Sequence, residues 1–194
     1  MMPRLGLLLL MLASMVGGVA AASAVTSDDA PVHPNPTSED LEPDGFPPAV
    51  HALADDPDGG PRWGVRVYRG TTGMTCANAG RVEDGRFGRV DAAGDHVPLP
   101  AAADGACADL GTAGLAFAAQ RYPARPGQAE RAVVFGVATD AVREVVLRTP
   151  AGDRPLRRAR DGAFLGVEPS ADVADLALVV TTTEGETRTY PLAA

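Results

Sequence analysis

The stretch VVFGVATDAVREVVLRTPAGD, residues 133–153, decides the fold class of this chain. It belongs to two apolar runs, Ala132–Ala138 and Val142–Thr149, each followed by turn-forming residues such as Asp140 and Gly152. Short runs rich in Val and ended by Asp or Gly are typical of β-strands, whereas an amphipathic helix needs a longer pattern with a 3.6-residue period. The stretch therefore predicts antiparallel strands joined by tight turns.

The same pattern continues outward to the end of the chain. Turn dipeptides such as Asp161-Gly162 and Glu184-Gly185 separate the apolar runs, and the runs recur at a spacing of roughly ten residues. This spacing predicts an all-β fold, an antiparallel β-sandwich. The six candidate strands are Ala132–Ala138, Val142–Thr149, Leu156–Arg160, Ala163–Val167, Leu176–Thr183 and Thr187–Leu192.

Toward the N-terminus, residues 62–128 predict a further β region. Apolar side chains alternate with others from Trp63 to Tyr68, which indicates a strand with one buried face. Gly85–Val90 and His96–Leu99 predict a hairpin, and Leu115–Tyr122 predicts a central strand, although Leu110–Ala119 could instead form a short helix. Residues 62–128 and 129–194 are thus predicted as two β regions, or as one continuous domain.

The first 61 residues have a different character. Residues 1–24 carry a charged start, an apolar run and the sequence Ala22-Ser23-Ala24, which predict a signal peptide cleaved before Val25; an uncleaved membrane anchor is the alternative. Residues 25–61 predict a disordered acidic stalk, because Thr26–Pro61 contains eight Pro, nine Asp or Glu and no Arg.

Export decides the interpretation of the two cysteines. Two cysteines in an exported domain normally form a disulfide, so Cys76 and Cys107 are predicted to pair. The bond would close a loop of about 30 residues and stabilise the fold by roughly 3.5 kcal/mol. The alternative is a thiol-dependent enzyme that uses Cys76 with His96 as its base.

Most other chemistry is excluded by residue content. The chain has 17 Arg or Lys in total, all of them Arg, so lysine chemistry is impossible. Ser170 lies outside any nucleophile elbow, and no phosphate-binding loop or metal-ligand spacing occurs, so no cofactor or metal is expected. Arg62–Ala194 holds 16 Arg and 16 Asp or Glu, which gives no electrostatic basis for nucleic-acid binding.

Two surface features are candidate binding sites. Arg157, Arg158 and Arg160 cluster in one predicted strand, either as charges that protect a sheet edge or as a contact for an anion. The aromatic residues Trp63, Tyr68 and Tyr122 could instead stack on a sugar, although isolated aromatic residues at strand positions are more often part of a core.

Several of these segments resemble known families. Phe135-Gly136-Val137, Val142–Leu147 and Asp161–Phe164 resemble the strand pattern of bacterial immunoglobulin-like domains, which implies an immunoglobulin-like C-terminal part. With the Trp63-x-Val65-x-x-Tyr68 segment and the two cysteines, the chain also resembles uncharacterised exported β-proteins of actinobacteria. That resemblance implies a fold and an extracytoplasmic location but no activity.

These patterns predict an exported, non-enzymatic β-sandwich protein that binds a partner or forms a structural part of the cell envelope. The predicted partner is an envelope protein or polymer, and the only predicted membrane contact is the possible N-terminal anchor. The Cys76 and His96 enzyme and a carbohydrate-binding module remain as alternatives.

Overall fold

The computed structural model describes residues 49–70, 73–100, 105–169 and 172–192. These residues form strands, one four-residue helix and one short 3-10 helix, and every pair of strands among them is antiparallel. The predicted all-β antiparallel fold is therefore confirmed. The predicted signal peptide or anchor, residues 1–24, and residues 25–48 of the predicted stalk lie outside the described residues.

The described elements are numbered in chain order. They are β1 (Ala49–Ala54), β2 (Arg62–Arg69), β3 (Thr75–Glu83), β4 (Arg86–Val90), β5 (His96–Pro98), β6 (Ala106–Ala108), α1 (Leu110–Ala113), β7 (Leu115–Tyr122), β8 (Arg131–Ala138), β9 (Val142–Thr149), β10 (Gly152–Pro155), β11 (Ala163–Pro169), a 3-10 helix (Val173–Asp175), β12 (Ala177–Thr182) and β13 (Thr187–Pro191).

The first sheet has six strands in the order β1-β2-β3-β4-β5, and β6 pairs with β3. Its central strand β3 consists largely of small residues, and most of it is buried. A Cβ atom on Gly80 of β3 would lie 2.6 Å from the carbonyl oxygen of Gly88 and 2.8 Å from the Phe87 ring. Small side chains on β3 therefore allow the Gly88 backbone and the Phe87 ring to pack directly against this strand.

The second sheet, in the order β11-β8-β7, lies in the middle of the fold. All eight residues of β8 are buried, because both faces of this strand are covered. Val133 and Phe135 pack against residues of the first sheet, while Ala132 and Val134 pack against the third sheet. Alternate residues of one strand thus contribute to two separate cores.

The third sheet has the order β10-β9-β12-β13. Val145 and Leu147 of β9 and Leu178 of β12 face the middle sheet, and the opposite face of β9 is exposed. The middle and third sheets together form two facing antiparallel layers, which is the arrangement of a β-sandwich. Their closer assignment to the immunoglobulin-like class stays a prediction.

The predicted boundaries of the β regions need two corrections. The stalk was predicted to extend to residue 61, but Ala49–Ala54 is strand β1, paired with β2, and Asp56 is buried. The boundary between residues 128 and 129 would cut the middle sheet, since β7 pairs with β8 along its whole length. The structure therefore favours the alternative of one continuous unit, which includes β1 from Ala49 onward.

One candidate strand is also wrong. Leu156–Arg160 was predicted as a strand, whereas the strand after β9 is β10, Gly152–Pro155, which pairs back onto β9 through a tight turn. Gly152 ends the turn and is also the first residue of the returning strand β10. Its φ of 129° is a backbone conformation that favours glycine. Leu156 then enters the core, and only Arg158 makes an isolated bridge to Phe164.

Candidate functional site

Cys76 and Cys107 form the predicted disulfide. Cys76 on β3 and Cys107 on β6 are direct partners across the sheet, with their Cα atoms 4.0 Å apart. Both cysteines are fully buried, and Tyr68 and Met74 pack against them. The bond leaves no free thiol on Cys76 in this structure, so the group that the thiol-enzyme alternative requires is not present.

His96 lies away from the disulfide. It is on β5, which is two strands from β3 across the sheet, or about 10 Å. Its ring lies over Gly88, where a Cβ atom would come within 2.5 Å of the His96 Cε1 atom. Within the described part of the chain, neither ring nitrogen of His96 has a hydrogen-bond partner. The structure therefore does not bring Cys76 and His96 together.

The three aromatic residues considered for sugar stacking do not form an exposed platform. Trp63 is fully buried and Tyr68 is 5% exposed. Tyr122 makes an edge contact with Trp63, with the ring centroids 4.8 Å apart, and its hydroxyl donates to the carbonyl oxygen of Ala79 at 2.9 Å. The sugar-stacking hypothesis for these residues is wrong, because their rings belong to the core and its margin.

A buried ion cluster that the sequence did not predict ties the start of the fold to its centre. The Asp56 carboxylate accepts hydrogen bonds from Arg131 Nη2 at 2.5 Å and from Trp63 Nε1 at 2.9 Å, and it lies 2.7 Å from Arg81 Nη2. The side chains of Asp56 and Arg131 are each 1% exposed, and that of Arg81 is 3% exposed. These four residues, here named the Asp56 cluster, connect the β1–β2 turn to β2, β3 and β8.

The electrostatics of the Asp56 cluster fix its charge state. Burial raises the pKa of Asp56, but hydrogen bonds from Arg131, Trp63 and the backbone of Asp58, with the nearby charge of Arg81, outweigh burial and lower the pKa to about 2. Asp56 is thus ionised at neutral pH, and its lone pairs are already occupied by donors. A carboxylate in this state is a poor general base, so we assign the cluster a structural role.

The segment after β10 holds the three arginines predicted to contact an anion. Arg157 and Arg160 are exposed, whereas Arg158 is half-buried and donates from Nη1 to the carbonyl oxygen of Thr139 at 3.0 Å. The backbone N–H of Ala159 donates to the carbonyl oxygen of Ala163 at 2.7 Å. The segment is therefore held against β11 although it is not a strand.

Two grooves flank this segment. The turn groove, of about 490 Å³, is lined by Arg143, Arg158 and Arg160 but also by Asp140 and Glu144. Its positive charges thus face carboxylates of the same surface, which reduces its attraction for an anion.

The edge groove, of about 440 Å³, has a different composition. Arg154, Arg157 and Arg158 line it, and no Asp or Glu does. The rest of its lining is Ala52–Ala54, Pro155, Leu156, Ala159 and Leu165. It combines positive charge with an apolar floor, so we take it as the candidate binding site. Of the predicted anion contacts, Arg157 and Arg158 lie here, and Arg160 lies in the turn groove.

Arg154 also lines the edge groove, although it was not among the predicted anion contacts. Its guanidinium pairs with the Glu168 carboxylate and donates to the carbonyl oxygen of Val167 at 3.3 Å. Outside the lining of the groove, His51 Nδ1 of β1 lies 2.6 Å from the Asp161 carboxylate. The sequence shows Arg154 three residues before Arg157, but only the strand β10 places it on this surface.

No group of three or more His, Cys, Asp or Glu among the described residues is placed to hold a metal ion. No helix in this part of the chain is long and apolar enough to span a membrane. Comparison of the chain with protein-family models, curated proteins and solved structures finds no match.

Proposed function

We propose that this chain is an exported, non-enzymatic β-sheet protein that binds an anionic partner of the cell envelope through the edge groove. The observation that carries the proposal is the charge of that groove, which is lined by three arginines and no carboxylate. Arg154 is paired with Glu168 outside the lining, so the charge available to a ligand comes mainly from Arg157 and Arg158. Arginine is well suited to this role because its planar, permanently charged guanidinium forms paired hydrogen bonds to carboxylates and phosphates.

Two observations support an extracytoplasmic location. The sequence of residues 1–24 has the charge, the apolar run and the small residues of a signal peptide. The buried Cys76–Cys107 bond is of a kind that forms and persists in oxidising compartments and is rare in the cytosol. An envelope location also brings the protein close to anionic polymers and lipids, which fit the charge of the groove.

Binding, rather than catalysis, fits the state of the reactive groups. Both cysteines are bonded to each other, and the carboxylate of Asp56 is surrounded by donors. The edge groove itself offers guanidinium groups and apolar side chains, which hold a ligand but do not transfer protons near neutral pH.

The experiment is fractionation of cells that produce the full-length chain. We expect the wild-type protein to remain with the envelope at low salt and to be released as salt rises, because screening weakens contacts between exposed charges. A variant with Arg154→Gln, Arg157→Gln and Arg158→Gln, which removes the three arginines that line the edge groove, should be released at lower salt. A control variant with Arg69→Gln, Arg86→Gln and Arg89→Gln removes the same charge from exposed positions of the first sheet.

Two results would overturn the proposal. One is a wild-type protein that fractionates with the cytoplasm and carries two free thiols. The other is release of both variants at the same salt concentration as the wild type, since the groove arginines would then contribute nothing to retention.

A further inference from the structure

We propose that the edge groove takes an extended acidic peptide, which binds as an added β-strand. This inference rests on the proposed function and deepens it, because it names the chemical class of the anionic partner. It follows from the position of the groove in the three sheets, from the residues of its two walls, and from the way in which its arginines are held.

The groove lies where the three sheets reach an edge on the same side of the molecule. β1 is an end strand of the first sheet, β11 of the middle sheet and β10 of the third sheet. Among the described residues β1 pairs only with β2 and β10 only with β9, while β11 pairs with β8 and makes one further bridge at Phe164. Such strands present backbone N–H and C=O groups that an extended peptide can bind.

The arginines of the groove do not lie on the strand that they face, so they do not protect the edge of that strand from pairing with another chain. A charged edge strand usually avoids unwanted pairing by carrying the charges itself. Here the β1 wall, Ala52–Ala54, is uncharged, and the arginines stand on the other wall, Arg154–Ala159. Leu53 is 47% exposed, and it is one of the few large apolar side chains left exposed among the described residues. An uncharged strand edge beside an exposed leucine is therefore a suitable surface for an extended peptide to cover.

The arginines are held in a way that favours a chain over a small compact anion. Arg154 is bound to Glu168, and Arg158 is bound to the carbonyl oxygen of Thr139, so separate partners hold these two guanidinium groups. They are therefore not free to converge on one phosphate. An extended peptide instead presents successive side chains to opposite faces. Apolar side chains can cover Leu53 and Leu165 while carboxylates between them reach Arg154 and Arg157.

The probe is a fluorescent peptide of about six residues, alternating Glu and Val, the usual length of a strand. Its binding to the oxidised full-length protein is measured by fluorescence anisotropy. We expect saturable binding that weakens about tenfold or more in the Arg157→Gln, Arg158→Gln variant and changes less than about twofold in an Arg69→Gln, Arg86→Gln control.

Backbone recognition is tested with two isomers of the peptide, N-methylated at odd or at even positions. Successive N–H groups of a strand point to opposite edges, so an added strand should lose about tenfold in affinity for one isomer and keep the other. Hydrogen exchange of amides in Ala52–Ala54 should also slow when the unmethylated peptide binds. Equal binding of both isomers, or unchanged exchange, would overturn strand addition.

Two other occupants give distinct results. If inorganic polyphosphate binds as tightly as the peptide and displaces it, the groove recognises negative charge alone. In that case the inference of strand addition fails, while the proposed function stands. If the protein instead forms dimers that exclude the peptide, a second copy is the occupant and the inference is again overturned. Failure of the proposed function is recognised separately, by envelope retention that does not depend on the groove arginines.

Discussion

Replacement of Asp56 by Asn tests the physical basis of the fold. The substitution keeps the size of the side chain but removes the charge that pairs with Arg81 and Arg131, which are 3% and 1% exposed, and it leaves Arg131 with only the largely exposed Asp58 carboxylate at 2.5 Å. Breaking a buried ion pair by removing one partner costs about 3–5 kcal/mol, because the remaining charge stays buried without compensation. Ordinary domains have a total stability of only about 5–15 kcal/mol. We therefore expect Asp56→Asn to remove a large part of the free energy of unfolding.

The pKa of Asp56 gives an independent estimate. Its folded pKa of about 2 lies below the ordinary 3.8. A lowered carboxyl pKa stabilises the folded state above the unfolded pKa, and this contribution is lost as the pH falls through the folded pKa. The difference corresponds to on the order of 2 kcal/mol, which should disappear between about pH 4 and pH 2. The larger figure for the substitution also includes the two guanidinium groups that stay buried.

The assay is equilibrium urea unfolding, followed by tryptophan fluorescence. Trp63 is the only tryptophan of the chain and donates directly to Asp56, so its emission reports on the cluster itself. The matched control is Asp55→Asn, since Asp55 pairs with Arg62 but its side chain is 86% exposed. An exposed pair of this kind contributes about 0–1 kcal/mol. If Asp56→Asn costs no more than Asp55→Asn, the account of the Asp56 cluster is refuted.

Three further predictions concern stability and ionisation. Replacing both Cys76 and Cys107 by Ala should lower the free energy of unfolding by about 3–4 kcal/mol, because the disulfide closes a loop with a sequence separation of 31. Burial raises the pKa of Tyr122 above its ordinary 10, so its phenol should stay neutral in the folded protein near pH 10. Above pH 10 the phenol ionises more readily in the unfolded state, so the free energy of unfolding should fall as the pH rises further. Gly136→Ala should cost about 1–3 kcal/mol or more, since its Cβ atom would lie 2.2 Å from the carbonyl oxygen of Ala116.

Each of these has its own check. The disulfide prediction fails if the double variant unfolds at the same urea concentration as the wild type. Near-ultraviolet titration of the wild type and of a Tyr122→Phe variant should show that the Tyr122 phenol ionises at higher pH in folded than in unfolded protein; its ionisation near pH 10 in folded protein would contradict the burial of Tyr122. Gly111→Ala is the control for Gly136→Ala, because its Cβ atom would meet only Asp109 Oδ1 at 3.3 Å and a helix tolerates alanine well. Equal stability of the two variants would contradict the close packing at β8.

Residues 131–192 were largely predictable because their strands follow simple rules. The runs of Val and the Asp-Gly turns predicted β8, β9 and β11 almost to their ends. The disulfide was predictable from the predicted export and the presence of two cysteines, and it is confirmed. In each case the deciding interactions are local in the sequence or involve the only available partner.

Two of the missed strands, β1 and β3, do not have strand composition. β1 lies at the end of a segment rich in Pro and acidic residues, and the average of that segment hides the six residues AVHALA. β3 contains Asn, Gly and two Ala residues, which have weak β preference, and it becomes a strand because β2 pairs with all but one of its residues. Tertiary pairing therefore decides both strands.

The candidate site depends on contacts that are distant in sequence. Asp56 and Arg131 are 75 residues apart, and Asp56 was predicted to belong to the disordered acidic stalk. The one available indication was Arg131 itself, a charged residue at the start of an otherwise apolar strand that is buried throughout. The edge groove likewise needs β1, β10 and β11 to meet, and the first two of these strands were not predicted.

The central claim is that the arginines beside the edge groove bind an anionic partner in the envelope. The most direct measurement is the affinity of purified, oxidised protein for isolated envelope, by co-sedimentation at fixed ionic strength. Three charge contacts of about 0.2–1 kcal/mol each predict a loss of roughly tenfold for the Arg154→Gln, Arg157→Gln, Arg158→Gln variant, which removes the arginines that line the edge groove. The Arg69→Gln, Arg86→Gln, Arg89→Gln variant should stay within about twofold of the wild type. Equal affinities for the two variants would contradict the claim.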